Sequence, residues 1–223
     1  SEAAGEERGD HGHAHERERR ADPQRQQGVR EVPEQAGEQH HQADDGDPDL
    51  PARLIPGSVV PVPWASKPMG QAFFRIVDED GGNFFGDPRT VLENALKPLK
   101  ERGLTAVVAT ELEFYLLDGK AAEPKIGAPL IPGTDRPQPG TQVYNPDDLF
   151  EVEGFLDDVY AWCEAQNVPA KAAISEYSAG QFEINLHHVA DAVLACDHAV
   201  LLKRAVKAIA LRHGFVACFM AKP

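Results

Sequence analysis

The chain has 223 residues, with 36 Asp and Glu against 22 Lys and Arg, for a formal net charge of -14. That balance argues against a nucleic-acid backbone or an anionic membrane surface as partner, since both demand clustered Lys and Arg. No apolar run approaches the roughly 18 residues of a membrane-spanning helix, and the N-terminus lacks the apolar centre of a signal peptide, so a cytoplasmic protein is expected.

Residues 1–49 contain no Leu, Ile, Phe, Tyr, Trp, Met, Cys or Lys. Such a segment cannot bury enough apolar area to offset roughly 1–2 kcal/mol of backbone entropy per residue, and residues 1–46 are expected to be a disordered polar tail. Its histidines (His11, His13, His15, His40, His41) match no closed metal site, and a solvated tail is the plainer reading. The absence of Lys beside abundant Arg suggests a second hypothesis, a GC-rich gene read in the wrong frame. A single uninterrupted frame with normal codon usage in the DNA would refute it.

From Leu50 the text changes character. LIPGSVVPVPW reads as an edge strand broken by Pro and Gly, and Ala72–Val77 as a strand entering an Asp-Gly-Gly turn. Asp87 and Pro88 open a helix with Val91, Leu92, Ala95 and Leu99 on its apolar face, and Gly103 closes it. Pro98 is expected to kink or shorten that helix. A strand follows over Leu104–Leu117, then a Gly- and Pro-rich loop over Gly119–Gly140, long enough to suggest function or mobility. FEVEGFLDDVYAWCEAQNV reads as one helix with Phe155, Leu156, Val159, Tyr160 and Cys163 inward. After the segment EYSAGQFEINLHH come a long helix ending at Gly214 and a last strand, FVACFM. One mixed sheet with flanking helices is expected, with Cys163, Cys196 and Cys218 as buried free thiols.

Four carboxylates stand out. In a strand, residues i and i+2 face the same way, so Glu111 and Glu113 share a face roughly 7 Å apart. Taken alone, such a pair is most simply one wet strand face. Glu176 and Glu183 flank Ser178-Ala179-Gly180, and a bend at Gly180 would aim both acids at one point. Neither segment supplies a Lys or Arg between the acids, and all-oxygen sites select hard ions such as Mg²⁺ or Mn²⁺. On spacing alone, a metal site and a wet face remain equal readings.

The same residues resemble the glutamine synthetase family. ELEF (Glu111–Phe114) is similar to its Glu-x-Glu-Phe strand, and EYSAGQFE to its Glu, short turn, Gly-Gln-x-Glu. KRAVKAIALRHG and FMAKP are similar to a later helix end and strand end, in the family's order and spacing. The resemblance implies an α+β fold. Residues 47–86 would be the end of a small β-grasp domain, and 87–223 the first part of a catalytic domain with a curved antiparallel or mixed sheet.

It further implies an ATP-dependent ligase that phosphorylates the glutamate γ-carboxylate, after which ammonia or an amine displaces phosphate. Glu113, Glu176 and Glu183 would hold one Mg²⁺ or Mn²⁺, Glu111 would help hold a second, and His188 would lie near the nucleotide. Partners would be glutamate, ATP, ammonia or an amine, and further copies of the chain in a ring. The wording QFEINLHH leans toward the branch that joins glutamate to putrescine or other polyamines.

The family's later histidine, arginines and final carboxylate would lie beyond Pro223, so no catalytic residue is assignable. The chain as given is expected to be truncated and inactive alone. Two further readings stand beside the ligase: a non-catalytic metal- or nucleotide-binding remnant that associates with intact subunits, and a guanidino-kinase-like phosphoryl transferase on the same scaffold.

Overall fold

Pro and Gly punctuate the chain after Leu50, and the strands they leave are short. The computed structural model describes residues 49–123, 125–131, 133–138 and 143–221, so the expected tail lies outside the described residues. Strand β1 (Ala52–Leu54) pairs antiparallel with β4 (Phe74–Ile76), and β2 (Val60–Pro61) with β3 (Gly70–Gln71). The strand expected over Ala72–Val77 is shorter because its start leaves the ladder: the Phe73 amide donates to Ser58 Oγ instead. The Asp-Gly-Gly turn forms as expected, with Asp78 N donating to Gly82 O and Val77 bridging Asn83.

Helix α1 (Pro88–Glu101) starts where the text says it should. Asp87 accepts from Thr90 N at 2.8 Å, Pro88 fills the first turn, and Gly103 leaves it at a φ of 68°. Burial would push the Asp87 carboxyl up, but its bonds from the Thr90 and Ile76 amides prevail and hold it below its ordinary value. Pro98 does not shorten the helix, which continues to Glu101. The apolar stripe is another correction: Val91 is 53% exposed, Leu99 and Ala95 are exposed, and the helix's one buried residue is Thr90. Periodicity reports that a face is apolar, not that an element covers it.

The main sheet has the order β6-β7-β5-β8, comprising β5 (Glu111–Asp118), β6 (Ala170–Ser175), β7 (Gln181–Leu186) and β8 (Phe215–Cys218). Every neighbouring pair is antiparallel, so the sheet is not mixed. The strand expected from Leu104 begins only at Glu111; before it, a single bridge joins Val108 to Val189. The long loop after β5 is tied down as well, through bridges Leu117 to Ile126 and Leu130 to Pro137.

The helix expected from Phe150 starts only at Glu153, as α3 (Glu153–Ala165), and a short helix that was not expected, α2 (Pro146–Phe150), precedes it. Phe155, Leu156, Val159 and Cys163 are buried as their spacing predicts, with Tyr160 half-buried. Helix α4 (Ala192–Arg212) is capped by Asp191 and closed by Gly214 at a φ of 80°. Helices α3 and α4 pack together and cover one face of the sheet, where Phe114, Leu116, Phe182, Ile184 and Ala217 meet Phe155, Leu202, Val206 and Ile209. Among the cysteines only Cys163 is fully buried; Cys218 is half-buried, and Cys196 is exposed on the outer side of α4. Burial pushes the Cys163 thiol up to about 12.

Candidate metal-binding face

Alternation along β5 and β7 sorts side chains to opposite sides of the sheet. Phe114 opposite Phe182 and Leu112 opposite Ile184 face the helices. The intervening pairs, Glu111 opposite Asn185, Glu113 opposite Glu183 and Tyr115 opposite Gln181, therefore share the other face. Directly opposed residues have Cβ atoms about 4.5–5.5 Å apart, and like charges so placed repel. A sequence that folds this way has placed two carboxylates where an unaccompanied pair is unfavourable.

Glu176 arrives by the turn between β6 and β7. Its amide donates to Gln181 O at 2.9 Å, which keeps it in line with the ladder just beyond Ser175. Gly180 makes the turn at a φ of 75°, and a side chain there would meet Ile126 Cγ2 at 2.7 Å and Ala128 O at 2.9 Å. The bend at Gly180 is thus real, and the loop after β5 packs against it.

Glu183 feels the charge of the other three acids. Glu183 is 8% exposed, and its burial raises its carboxyl above the ordinary range. The Asn185 side chain opposes that rise, while Glu111, Glu176 and Glu113 add to it. Among the described residues, none of the four is paired with Lys, Arg or His. Nor do any three His, Cys, Asp or Glu side chains among the described residues converge tightly enough, as their rotamers lie, to enclose an ion. The donor set itself is all-oxygen and anionic, which suits Mg²⁺ or Mn²⁺. His188 is not part of this cluster; it is exposed beyond the end of β7, past the Glu111 end of the sheet.

Two further features of the site were not anticipated. Gln181 donates from Nε2 to Glu113 Oε2 at 2.6 Å. Its i, i+2 relation to Glu183 placed it on this face, but nothing in the spacing marked it as a partner of Glu113. The buried Asp148 accepts from Ser175 Oγ at 2.8 Å, Asn145 Nδ2 at 2.9 Å and Gln138 Nε2 at 3.3 Å. It fastens α2 and the preceding loop to the end of β6, one residue before Glu176.

Comparison with known proteins identifies the family. Residues 85–223 match the family model for the catalytic domain of glutamine synthetase. The chain is 43% identical over 179 residues to the gamma-glutamylputrescine synthetase PuuA of Escherichia coli, covering 80% of this chain and 38% of that protein. It is 30% identical to the glutamate–isopropylamine ligase of a Pseudomonas species, again over 81% of this chain and 38% of the relative. A solved structure of a GmaS/ADP complex superposes with a TM-score of 0.68 at 26% identity, covering 81% of this chain and 40% of that one. The chain therefore spans well under half the length of these relatives, and over that span it belongs to the glutamine synthetase family.

Proposed function

We propose that the chain carries the metal-binding carboxylates of an ATP-dependent ligase that joins the γ-carboxylate of glutamate to an amine. The observation that carries the reading is Glu113 set directly opposite Glu183, with Glu111 and Glu176 in the same electrostatic group and no cationic side chain paired with any of them among the described residues. Glu113, Glu176 and Glu183 would hold one Mg²⁺ or Mn²⁺, and Glu111 would contribute to a second. Such ions neutralise charge on a phosphoryl group in transit and orient the groups that exchange it.

In the proposed reaction a γ-carboxylate oxygen of glutamate attacks the γ-phosphorus of ATP and ADP leaves. The amine nitrogen then attacks the acyl carbon, inorganic phosphate departs, and the nitrogen loses a proton. The chain's own part is to hold Glu111, Glu113 and Glu183 on a sheet whose opposite face is locked to α3 and α4, with Glu176 on the adjoining turn, so that they stay in register without closing on one another. The 43% identity to the putrescine ligase supports an amine rather than ammonia as acceptor.

In this reading residues 47–86 are the end of a β-grasp domain, ahead of the matched region, and 87–223 are the first part of the catalytic domain, in a cytoplasmic ring of like subunits. His188 is kept as a nucleotide neighbour on resemblance alone.

The test has two arms. Mn²⁺ titration followed by the electron paramagnetic resonance of free Mn²⁺ is expected to show binding that Glu183→Gln and Glu113→Gln weaken. Phosphate release with glutamate, ATP and Mg²⁺, measured on an active full-length protein that contains this chain, is expected to rise more with putrescine than with ammonia. Mn²⁺ binding unaffected by either substitution would sink the site, and equal stimulation by the two nitrogen donors would sink the choice of acceptor.

A further inference from the structure

We infer that Gln181 is a positioning residue that fixes the orientation of the Glu113 carboxylate and couples it to the turn carrying Glu176. The inference rests on the metal-site reading above. Gln181 is buried, yet it uses all four of its polar groups. Its amide donates to Ser178 O at 3.0 Å and its carbonyl accepts from Glu176 N at 2.9 Å, which closes the turn. Its side-chain Oε1 accepts from Ser178 N at 3.1 Å, and its Nε2 donates to Glu113 Oε2 at 2.6 Å.

These bonds permit only one orientation of the side-chain amide. Turned over, it would set Oε1 against a carboxylate and the NH₂ group against a backbone N–H, losing both bonds to repulsion. The Ser178 N–H therefore dictates which end of the amide faces Glu113, and the amide in turn occupies Oε2. That leaves Oε1 of Glu113 as the oxygen with both lone pairs free to serve a cation. The donor also offsets part of the repulsion between Glu113 and the opposed Glu183. A carboxylate ligand held by a hydrogen-bonding neighbour is oriented before the ion arrives, and removing such a neighbour typically costs about 10–100-fold in metal affinity.

The experiment is a double-mutant cycle on the full chain with Mn²⁺ as probe. Gln181→Met keeps the length of the side chain and removes both of its hydrogen bonds. It is expected to weaken Mn²⁺ binding about tenfold or more in the wild-type background, and to add little once Glu113→Ala is present. Independent effects that add in the double variant would mark Gln181 as structural only and overturn the inference.

A metal-free arm covers the case in which Gln181→Met fails to fold. The Gln181 side-chain amide resonances in ¹⁵N spectra of the metal-free chain are expected to move when the exposed Glu113 is replaced by Ala. Unmoved resonances overturn the inference whatever the metal does. A wild-type chain that binds no Mn²⁺ overturns the metal-site reading itself, and this inference with it. Binding with additive losses overturns the inference alone.

Discussion

Replacing Gly180 with Ala should damage the protein more than its single methyl group suggests. Gly180 sits at a φ of 75°, and an L-residue forced into left-handed geometry pays about 1–2 kcal/mol. The added Cβ would also lie 2.7 Å from Ile126 Cγ2 and 2.9 Å from the Ala128 carbonyl oxygen. One of those atoms is backbone, and Leu116 N also donates to Gly180 O, so neither side can yield freely. Overpacking of this kind adds about 1–3 kcal/mol.

The total, about 2–5 kcal/mol, is large beside the whole stability of an ordinary domain. Gly103 supplies the control, since it has a φ of 68° and nothing within 4 Å of its virtual Cβ. Gly103→Ala should therefore cost only the conformational part, about 1–2 kcal/mol. Urea unfolding followed by the fluorescence of the stacked Trp64 and Trp162 measures both variants. Equal losses at the two glycines would refute the claim that the loop over Ile126 and Ala128 buttresses the acid-bearing turn.

Three other outcomes are expected. Asp148→Ala leaves the Ser175, Asn145 and Gln138 donors without their acceptor and should lower stability by about 1–3 kcal/mol in urea unfolding; a change under about 0.5 kcal/mol would show those bonds to be incidental. Burial of His198 holds its imidazole below the ordinary value of 6.5, and the nearby Asp197 and Asp191 only partly offset this. The unfolded chain therefore binds the proton first, so stability is fully present above pH 6.5 and falls as acid approaches the lowered folded value. His198→Leu should flatten that acid limb of the stability curve, and parallel curves for the two proteins would contradict the sign. In thiol labelling of the folded protein, exposed Cys196 should react promptly and Cys163 only on unfolding; prompt labelling of Cys163 in a Cys196→Ser variant would contradict its burial.

Local chemistry was the most legible part of this chain. Asp87-Pro88, Gly103 and Gly214 set both ends of α1 and the close of α4 through atoms close in sequence, and those ends lie where the sequence puts them. The shared face of Glu111 and Glu113 follows from strand alternation alone. What depended on distant partners was not legible. The sequence over Leu104–Thr110 has strand character, but it pairs only at its end, through a bridge from Val108 to Val189 and a bond from Leu186 N to Thr110 O. The α1 stripe is apolar but mostly uncovered within the described residues. The bond from Gln181 to Glu113 links positions far apart in the chain, and no local pattern announces it.

The strand order β6-β7-β5-β8 has a consequence for how the carboxylate set would come apart. Glu113 and Glu183 ride on the two inner strands. Glu183 is laddered on both sides, to Glu113 and to Ile174, and Glu113 lies opposite it, two residues before β5 also pairs with β8 at Tyr115. Their backbones are therefore released only when the centre of the sheet opens. Glu176 hangs from the end of β6, an outer strand with one ladder, on a turn kept shut by the bonds around Gln181. Fraying at that rim frees one acid while leaving the other two in place. The candidate carboxylate set thus has an inner part and a rim part, and hydrogen exchange is expected to be faster at the Glu176 amide than at the Glu183 amide.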